Sequence, residues 1–327
     1  WEVEDEGEVS DLLAVEISSE SDGSIVELKQ TAYIQKMANT WFTDGVPSTV
    51  QSNKTPCDSD LAQHVADSLI DDVTIRDPDL VRRYQSLVGA LLYSATNTRP
   101  DVAYSVGMLC RCMARPTDQL FSDALRVLGY LYRTRTIGLR YEADRLPLYG
   151  MTDSDWAIKH STSGWVFMYN SAAISWGSKK QPSIALSSCE AEIMAASEGA
   201  KEAMYLRRYL DELGDGVSKP TSQATDNTGA RDLAYNPEHH QKVKHIQRRH
   251  FYIRECVEDM QLTVPYVATA DNMADFFTKA LSSKEFFYFR DRIMNVHPNL
   301  RHCDRKAAKE SVSTDASVAG GVWDVAP

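Results

Sequence analysis

Cysteine is sparse and unpatterned in this chain. Six residues (Cys57, Cys110, Cys112, Cys189, Cys256, Cys303) form no C-x-x-C pair, so neither a disulfide framework nor a zinc knuckle is signalled, and all six are expected to be reduced. No stretch approaches the about 20 uninterrupted apolar residues that a membrane helix needs. The first 28 residues hold ten acids and no Lys or Arg, whereas a signal peptide opens on basic residues. Secretion and membrane insertion are therefore disfavoured, and an intracellular setting is expected. Also missing are a G-x-x-x-x-G-K-[ST] loop, a G-x-G-x-x-G turn and a G-x-S-x-G elbow, which removes nucleotide-driven and serine-hydrolase chemistry. Positive charge is in deficit: 35 Lys and Arg face 46 Asp and Glu, a net charge of -11, which argues against a surface that coats nucleic acid as a whole. A local basic patch stays open.

What is present is a chain of 327 residues with 43% hydrophobic content, enough for two domains with cores of their own. Leu12, Leu13, Val15 and Ile17, then Ser21-Asp22-Gly23-Ser24, then Ile25-Val26 read as a hairpin. Gln30 to Trp41 follows as a short amphipathic helix with Tyr33, Ile34, Met37 and Trp41 on one face. Residues 43–62, with Pro47 and Pro56 among polar residues, predict an irregular crossing. Residues 80–135 are the most helical part: one helix carries Tyr84, Leu87, Val88, Leu91 and Leu92, a second opens at Pro100, and a third spans Asp118 to Arg133. From Leu139 the period shortens to that of strands: Leu146 to Thr152, Gly164 to Tyr169 and Ala173 to Trp176. A long helix from Ser188 to Leu213, a strand Ser222 to Thr225, helices near Asn227 to Ala234 and Gln241 to Asp259, a strand Leu262 to Val267, and a closing helix from Asn272 complete an α/β sheet that begins with an antiparallel meander. Phe286 to Val296 adds a further helix, and Ser311 to Pro327 reads as a frayed tail.

Four acids stand at strand ends or helix starts, where an α/β fold gathers its active site: Asp153, Glu192, Asp226 and Asp275. Clustered carboxylates repel one another unless cations neutralise them, and hard oxygen ligands favour Mg²⁺, or Mn²⁺, over zinc. The implied chemistry is two-metal phosphodiester hydrolysis, with ions about 3.5 to 4 Å apart, one activating a water and the other stabilising the departing 3′ oxygen. Asp153 would bridge the two ions. Asp155 competes with it, since alternate residues of a strand share a face, but Asp153 lies closer to the strand proper. Glu190 competes with Glu192, yet Ser187-Ser188-Cys189-Glu190 fits a capping box that would occupy Glu190 at the helix start.

Between His239 and Arg254 the chain carries Lys242, Lys244, Arg248, Arg249 and Arg254 without an acid, interleaved with Phe251 and Tyr252. Beside a metal-carboxylate site these, with Lys179 and Lys180 before the long helix, are candidates to grip a nucleic-acid backbone, which positions a duplex without reading it. RNA paired to DNA would be told from pure DNA by its 2′-hydroxyls in the shallow minor groove. His239, His240, His245 and His250 lack a Cys at zinc-finger spacing and are expected to be solvated or packing residues.

Eight ordered runs then give a resemblance: YQSLVGALLYSATNTRPDVAYSV (Tyr84 to Val106), TDSDWA (Thr152 to Ala157), STSGWVF (Ser161 to Phe167), ISWGSKKQ (Ile174 to Gln181), ALSSCEAEIMAAS (Ala185 to Ser197), DNTGA (Asp226 to Ala230), KHIQRRHFYIRE (Lys244 to Glu255) and DNMADFFTKAL (Asp271 to Leu281). Together they resemble the C-terminal part of the Pol polyprotein of copia-type LTR retrotransposons. The resemblance covers all but about the last thirty residues. It implies that residues 1–60 are the end of a reverse transcriptase (palm hairpin and thumb-like helix), 61–140 a helical connection, 145–281 a ribonuclease H-like domain with a mixed five-stranded sheet flanked by helices, and 282–327 a short helix and flexible tail. It also implies that Asp153, Glu192, Asp226 and Asp275 are metal-binding acids, Glu192-Ile193-Met194-Ala195 standing in the E-[LIY]-x-A setting of ribonucleases H. The expected partners are an RNA–DNA hybrid and the upstream reverse-transcriptase fingers and palm.

Two departures from the family pattern matter. The polymerase motif Tyr-x-Asp-Asp does not occur, so DNA synthesis by this chain alone is not expected. Many cellular ribonucleases H carry a mobile histidine before the last acid; Ala268 to Met273 has none, with His245 or His250 as weak substitutes in product release. Trp1 in place of an initiating Met fits an excerpt of a longer chain. The rival readings are a catalytically inactive, nucleic-acid-binding remnant of a reverse transcriptase, and an integrase-type strand transferase, which shares the sheet but expects three acids.

Overall fold

Alternation at the N-terminus produces the expected hairpin. The computed structural model describes residues 9–51, 53–70, 77–143, 146–156, 161–235 and 247–300. β1 (Asp11–Leu12), β2 (Val15–Ser19) and β3 (Ile25–Lys29) run antiparallel, and the β2–β3 turn closes with Gly23 at φ 71° and the Asp22 carboxylate accepting the Ser24 N–H at 3.0 Å. A fourth strand that the pattern did not announce, β4 (Leu139–Glu142), pairs with β3, so the hairpin is joined to a segment more than a hundred residues later. Four residues carry too little periodicity to be read as a strand; the open edge of β3 makes them one.

Between β3 and β4 lie α1 (Thr31–Trp41), α2 (Ser48–Gln51), α3 (Asp60–Ile70), α4 (Pro78–Asn97), α5 (Ala103–Cys110) and α6 (Asp118–Arg133). The irregular crossing thus holds one short helical turn, and α3 is an addition to the expected helices, burying Leu61, Val65 and Ser68 on one stripe. α4 starts on Asp77, whose side chain accepts the Asp79 N–H, with Pro78 in the first turn; α6 starts on Thr117, which accepts from Leu120. Leu120, Ala124, Val127, Leu128 and Leu131 of α6 are buried, each large side chain contributing about 1.5–3 kcal/mol. At the centre, Arg99 and Asp101 are fully buried and joined at 2.7 Å, and the Tyr130 hydroxyl donates to Asp101 at 2.6 Å.

The second sheet is five-stranded. β5 (Tyr149–Asp155), β6 (Thr162–Tyr169) and β7 (Ala172–Lys180) form the antiparallel meander; after α7 (Ser188–Glu212), β8 (Thr221–Ala224) lies parallel to β5, and after α8 (Thr228–Tyr235) and α9 (Gln247–Glu258), β9 (Leu262–Thr263) lies parallel to β8. The order β7-β6-β5-β8-β9 gives the mixed five-stranded sheet expected. β9 is shorter than predicted because Pro265 has no N–H to give; pairing resumes only as a bridge between Thr225 and Tyr266. One face of the sheet packs on α7 and α9 through Phe167, Ile193, Ala196, Ala200, Ala203 and Ile253. The other face belongs to the core of the helical region, which takes in Val166, Met168 and Ala173.

The closing α-helix from Asn272 is corrected. The segment is two 3-10 turns, Thr269–Asp271 and Met273–Phe277, with i→i+3 bonds such as Asp275 N–H to Asn272 O at 3.2 Å. Its residues Met273 to Phe277 are all buried, wedged between the sheet and the helical core, where no face is left for the wider, solvent-facing α form. α10 (Ser283–Ile293) follows with a complete capping box from Ser282 and Glu285. No helix among the described residues is long and apolar enough to cross a membrane.

Candidate functional site

The parallel pairing of β5 with β8 sets the first two acids side by side. Met151 pairs with Ala224, and the same register carried two residues further matches Asp153 with Asp226. Asp275 arrives from the 3-10 turn, which can press against the sheet because residue 164, the β6 partner of Asp153, is glycine. A Cβ there would stand 2.7 Å from Thr278 Cγ2 and 2.8 Å from the Ala274 carbonyl oxygen. Asn272 clamps the turn: its Nδ2 donates to Thr152 O at 3.2 Å, and its Oδ1 accepts the Ala274 N–H at 3.1 Å. As a result Asp153, Asp226 and Asp275 each offer a carboxylate oxygen within 4.8 Å of the others. Asp153 and Asp275 are buried and Asp226 is partly so.

Glu192 reaches this cluster from the opposite face of β5. Its helix packs on the sheet through Ala196, Gly199, Ala200 and Ala203, and at Gly199 a Cβ would meet Thr152 Cγ2 at 2.5 Å. Glu192, seven residues before Gly199, lies on that same stripe. Its carboxylate accepts the Ser154 backbone N–H, and its other oxygen, Oε2, is buried with no hydrogen-bond partner. Burial first, then the charges of Asp153 and Asp226, push Glu192 up to about 9. Asp275, whose Oδ1 is likewise buried without a partner, is raised to about 7 by burial and by Asp153, with Lys279 opposing.

The two competitors, Glu190 and Asp155, take different places. Glu190 is spent at the helix start: its Oε2 accepts the Leu186 N–H at 2.7 Å while Ser187 Oγ accepts the Glu190 N–H at 3.1 Å. Asp155 sits one step out along the same face as Asp153, more exposed, its pKa raised by burial and then by Asp153.

Sequence reasoning missed two groups. Thr278 places its hydroxyl on the Asp153 carboxylate. Lys279 Nζ lies 2.8 Å from Asp275 Oδ2. Burial works against that ammonium, but the hydrogen bond with Asp275 and the charges of Asp275, Asp153 and Asp226 hold its pKa above the usual lysine value. The four-residue step from Asp275 to Lys279 in DFFTK was the available signal. Of the expected backbone-gripping residues, Lys179 and Lys180 are the last residues of β7 rather than part of a turn, and Lys179 Nζ is 3.5 Å from Glu198. Lys242 and Lys244 lie outside the described residues, as do His239, His240 and His245. Arg248 and Arg249 fall in the first turn of α9 and His250 beside them, with their side chains outside the description.

Three buried or half-buried aspartates within 4.8 Å of one another, with an orphaned oxygen on Asp275 and another on the neighbouring Glu192, and Lys279 paired to Asp275, make a donor set that fits hard divalent cations.

No protein-family model matches the chain. The Retrovirus-related Pol polyprotein from transposon TNT 1-94 of Nicotiana tabacum is 31% identical over 306 residues, 91% of this chain and 22% of that protein. The Retrovirus-related Pol polyprotein from transposon RE1 of Arabidopsis thaliana is 35% identical over 231 residues, 69% of this chain and 16% of that protein. Among solved structures, RNase H1 from the halophilic archaeon Halobacterium salinarum NRC-1 is 14% identical, covers 40% of this chain and 93% of that one, and scores a TM-score of 0.31. The chain therefore spans about a fifth of the length of these curated relatives. With similarity running through almost its whole length, the chain belongs to the retrovirus-related Pol polyprotein family of copia-type LTR retrotransposons.

Proposed function

We propose that this chain hydrolyses the RNA strand of RNA–DNA hybrids as a metal-dependent ribonuclease H, fused to the closing part of a reverse transcriptase (residues 1–60) through the helical connection (61–140). The observation that carries the reading is the convergence of Asp153, Asp226 and Asp275 at the strand ends, with Glu192 beside them. Asp153, Asp226, Asp275 and Glu192 would hold two divalent ions, Mg²⁺ foremost. Bound there, such ions supply Lewis-acid stabilisation and an activated water for phosphodiester hydrolysis.

The chain's own side chains do the rest. Thr278 holds the Asp153 carboxylate in place, and Asn272 fixes the turn that carries Asp275. Lys279, paired to Asp275, neutralises part of the cluster's charge. Glu192 keeps a proton at neutral pH and releases it when the cluster is neutralised, so loading is linked to pH. The upstream fingers and palm of the parent polyprotein are the proposed docking partner, and the hybrid the proposed substrate. Lys179, Lys180, Lys242, Lys244, Arg248 and Arg249 remain candidates for phosphate contact.

The test is a labelled RNA–DNA hybrid incubated with the purified chain in Mg²⁺ or in EDTA. Cleavage of the RNA strand that chelation and Asp226→Asn both abolish is the expected result. Binding without cleavage at any Mg²⁺ or Mn²⁺ concentration would refute hydrolysis in favour of an inactive binding remnant.

A further inference from the structure

The rim that carries the acids also carries an apolar ridge with no part in the chemistry above. β5 and β7 both run antiparallel to β6 and so end on the same rim. Just past the end of β5, Trp156 is 56% exposed; in the loop after β7, Ile184 is 53% and Leu186 71% exposed. The two meet: Trp156 Nε1 donates to the Ala185 carbonyl at 3.2 Å, which ties the indole to the loop residue that separates Ile184 from Leu186. The loop is itself held, since its Leu186 N–H is taken by Glu190, and Gln181 Nε2 donates to Ser163 Oγ and Ala191 O, both at 2.9 Å. Three large apolar side chains kept in water by a fixed scaffold mark a contact surface.

Position and charge say what covers it. Trp156 lies three residues beyond Asp153, so a duplex whose backbone reaches the carboxylates must cross the end of β5. The run Gln181 to Cys189 contains no Asp, Glu, Lys or Arg; Lys180 precedes it, Glu190 follows it, and Asp155 stands before Trp156. The three ridge side chains themselves carry no cation that would hold a phosphate. The neutral part of a duplex is its groove wall, and an A-like hybrid presents its sugars there in a wide, shallow minor groove. We propose that Trp156, Ile184 and Leu186 form a positioning surface that packs against the sugar edge of the hybrid's minor groove and seats the RNA strand over the acids. This rests on the hybrid-hydrolysis reading and adds the contact that aligns the substrate.

The test has a binding arm and a kinetic arm. In the Asp226→Asn chain with Mg²⁺, anisotropy of a labelled hybrid gives Kd; in the otherwise unaltered chain, cleavage gives kcat and KM. Trp156→Ala and the pair Ile184→Ser with Leu186→Ser are expected to raise Kd and KM about tenfold, the scale of losing one stacked or apolar nucleic-acid contact, with kcat held. Trp156→Phe retains most of the affinity. Leu213→Ser, an exposed apolar residue at the far end of α7, changes neither constant, and matched thermal melts confirm folding. Hybrid binding and cleavage with ridge variants indistinguishable from the unaltered chain would overturn the ridge alone, as would a fall in kcat at unchanged KM. Binding that ridge variants weaken without any cleavage would uphold the ridge and remove hydrolysis. An unaltered chain that neither binds nor cuts the hybrid would overturn both.

Discussion

Replacing Glu192 with Gln should stabilise the metal-free protein, and by an amount that depends on pH. The ordinary value of 4.5 for this carboxyl rises to about 9 in the folded chain. Between those values the folded state holds a proton that the unfolded state has released, so stability falls as pH rises. At pH 7.5 the gap to the unfolded value corresponds to an upper bound of about 4 kcal/mol, at roughly 1.36 kcal/mol per pKa unit. Gln keeps the carbonyl oxygen that accepts the Ser154 N–H but cannot ionise. Urea unfolding in EDTA across pH 5 to 9 should show the unaltered chain losing stability with rising pH, and Glu192→Gln losing less. The two lines should meet near pH 5 and separate above it, and saturating Mg²⁺ should stabilise the unaltered chain most at the alkaline end. Parallel lines across the whole range would refute the claim that Glu192 is buried against the other acids.

Other perturbations follow from the same geometry. Lys279→Met removes the ammonium from Asp275, so Mg²⁺ titrated calorimetrically should bind about fivefold more tightly, on the ~1 kcal/mol scale of a half-exposed ion pair; unchanged or weaker binding would contradict the competition. Gly164→Ala puts a methyl against the Ala274 carbonyl and should displace the turn bearing Asp275, lowering hybrid cleavage about 100-fold while the chain still melts cooperatively. Asp101→Asn strands the buried Arg99 guanidinium and should cost about 3–5 kcal/mol in urea unfolding; a loss under 1 kcal/mol would show that Tyr130 and Thr134 suffice to hold it.

Much of this architecture was legible in the residues because it is local. α6 spans Asp118–Arg133 as its stripe predicted, and α7 stops one residue short of expectation. The three aspartates were visible as strand-end and helix-start residues, although the helix expected at Asp275 is a 3-10 turn, and Glu190 was set aside by its spacing from Ser187. What stayed hidden depends on distant partners. β4 is a strand only because β3 offers an edge, the segment after Asn272 takes the 3-10 form only because two packed layers squeeze it, and Gly164 matters only because that turn comes to rest on it. Periodicity records which face of an element is apolar, not which element will arrive to cover it.

The last helix gives the molecule a property that its linear order conceals. Phe286 of α10 stacks edge-on against Tyr130 at 5.6 Å, Arg140 N–H donates to Met294 O at 3.1 Å, and Asn295 Nδ2 donates to Arg140 O at 3.0 Å. The polypeptide leaves the five-stranded sheet only to fasten itself back onto the helices that came before it. A fragment trimmed to residues 145–281 would lose that clasp and bare the aromatic seam of Phe276 and Phe277 to water, whereas one running through Val296 from the first hairpin keeps the seam shut. Separating the five-stranded sheet from the helices by a single proteolytic nick would therefore yield two sticky pieces rather than two independent proteins.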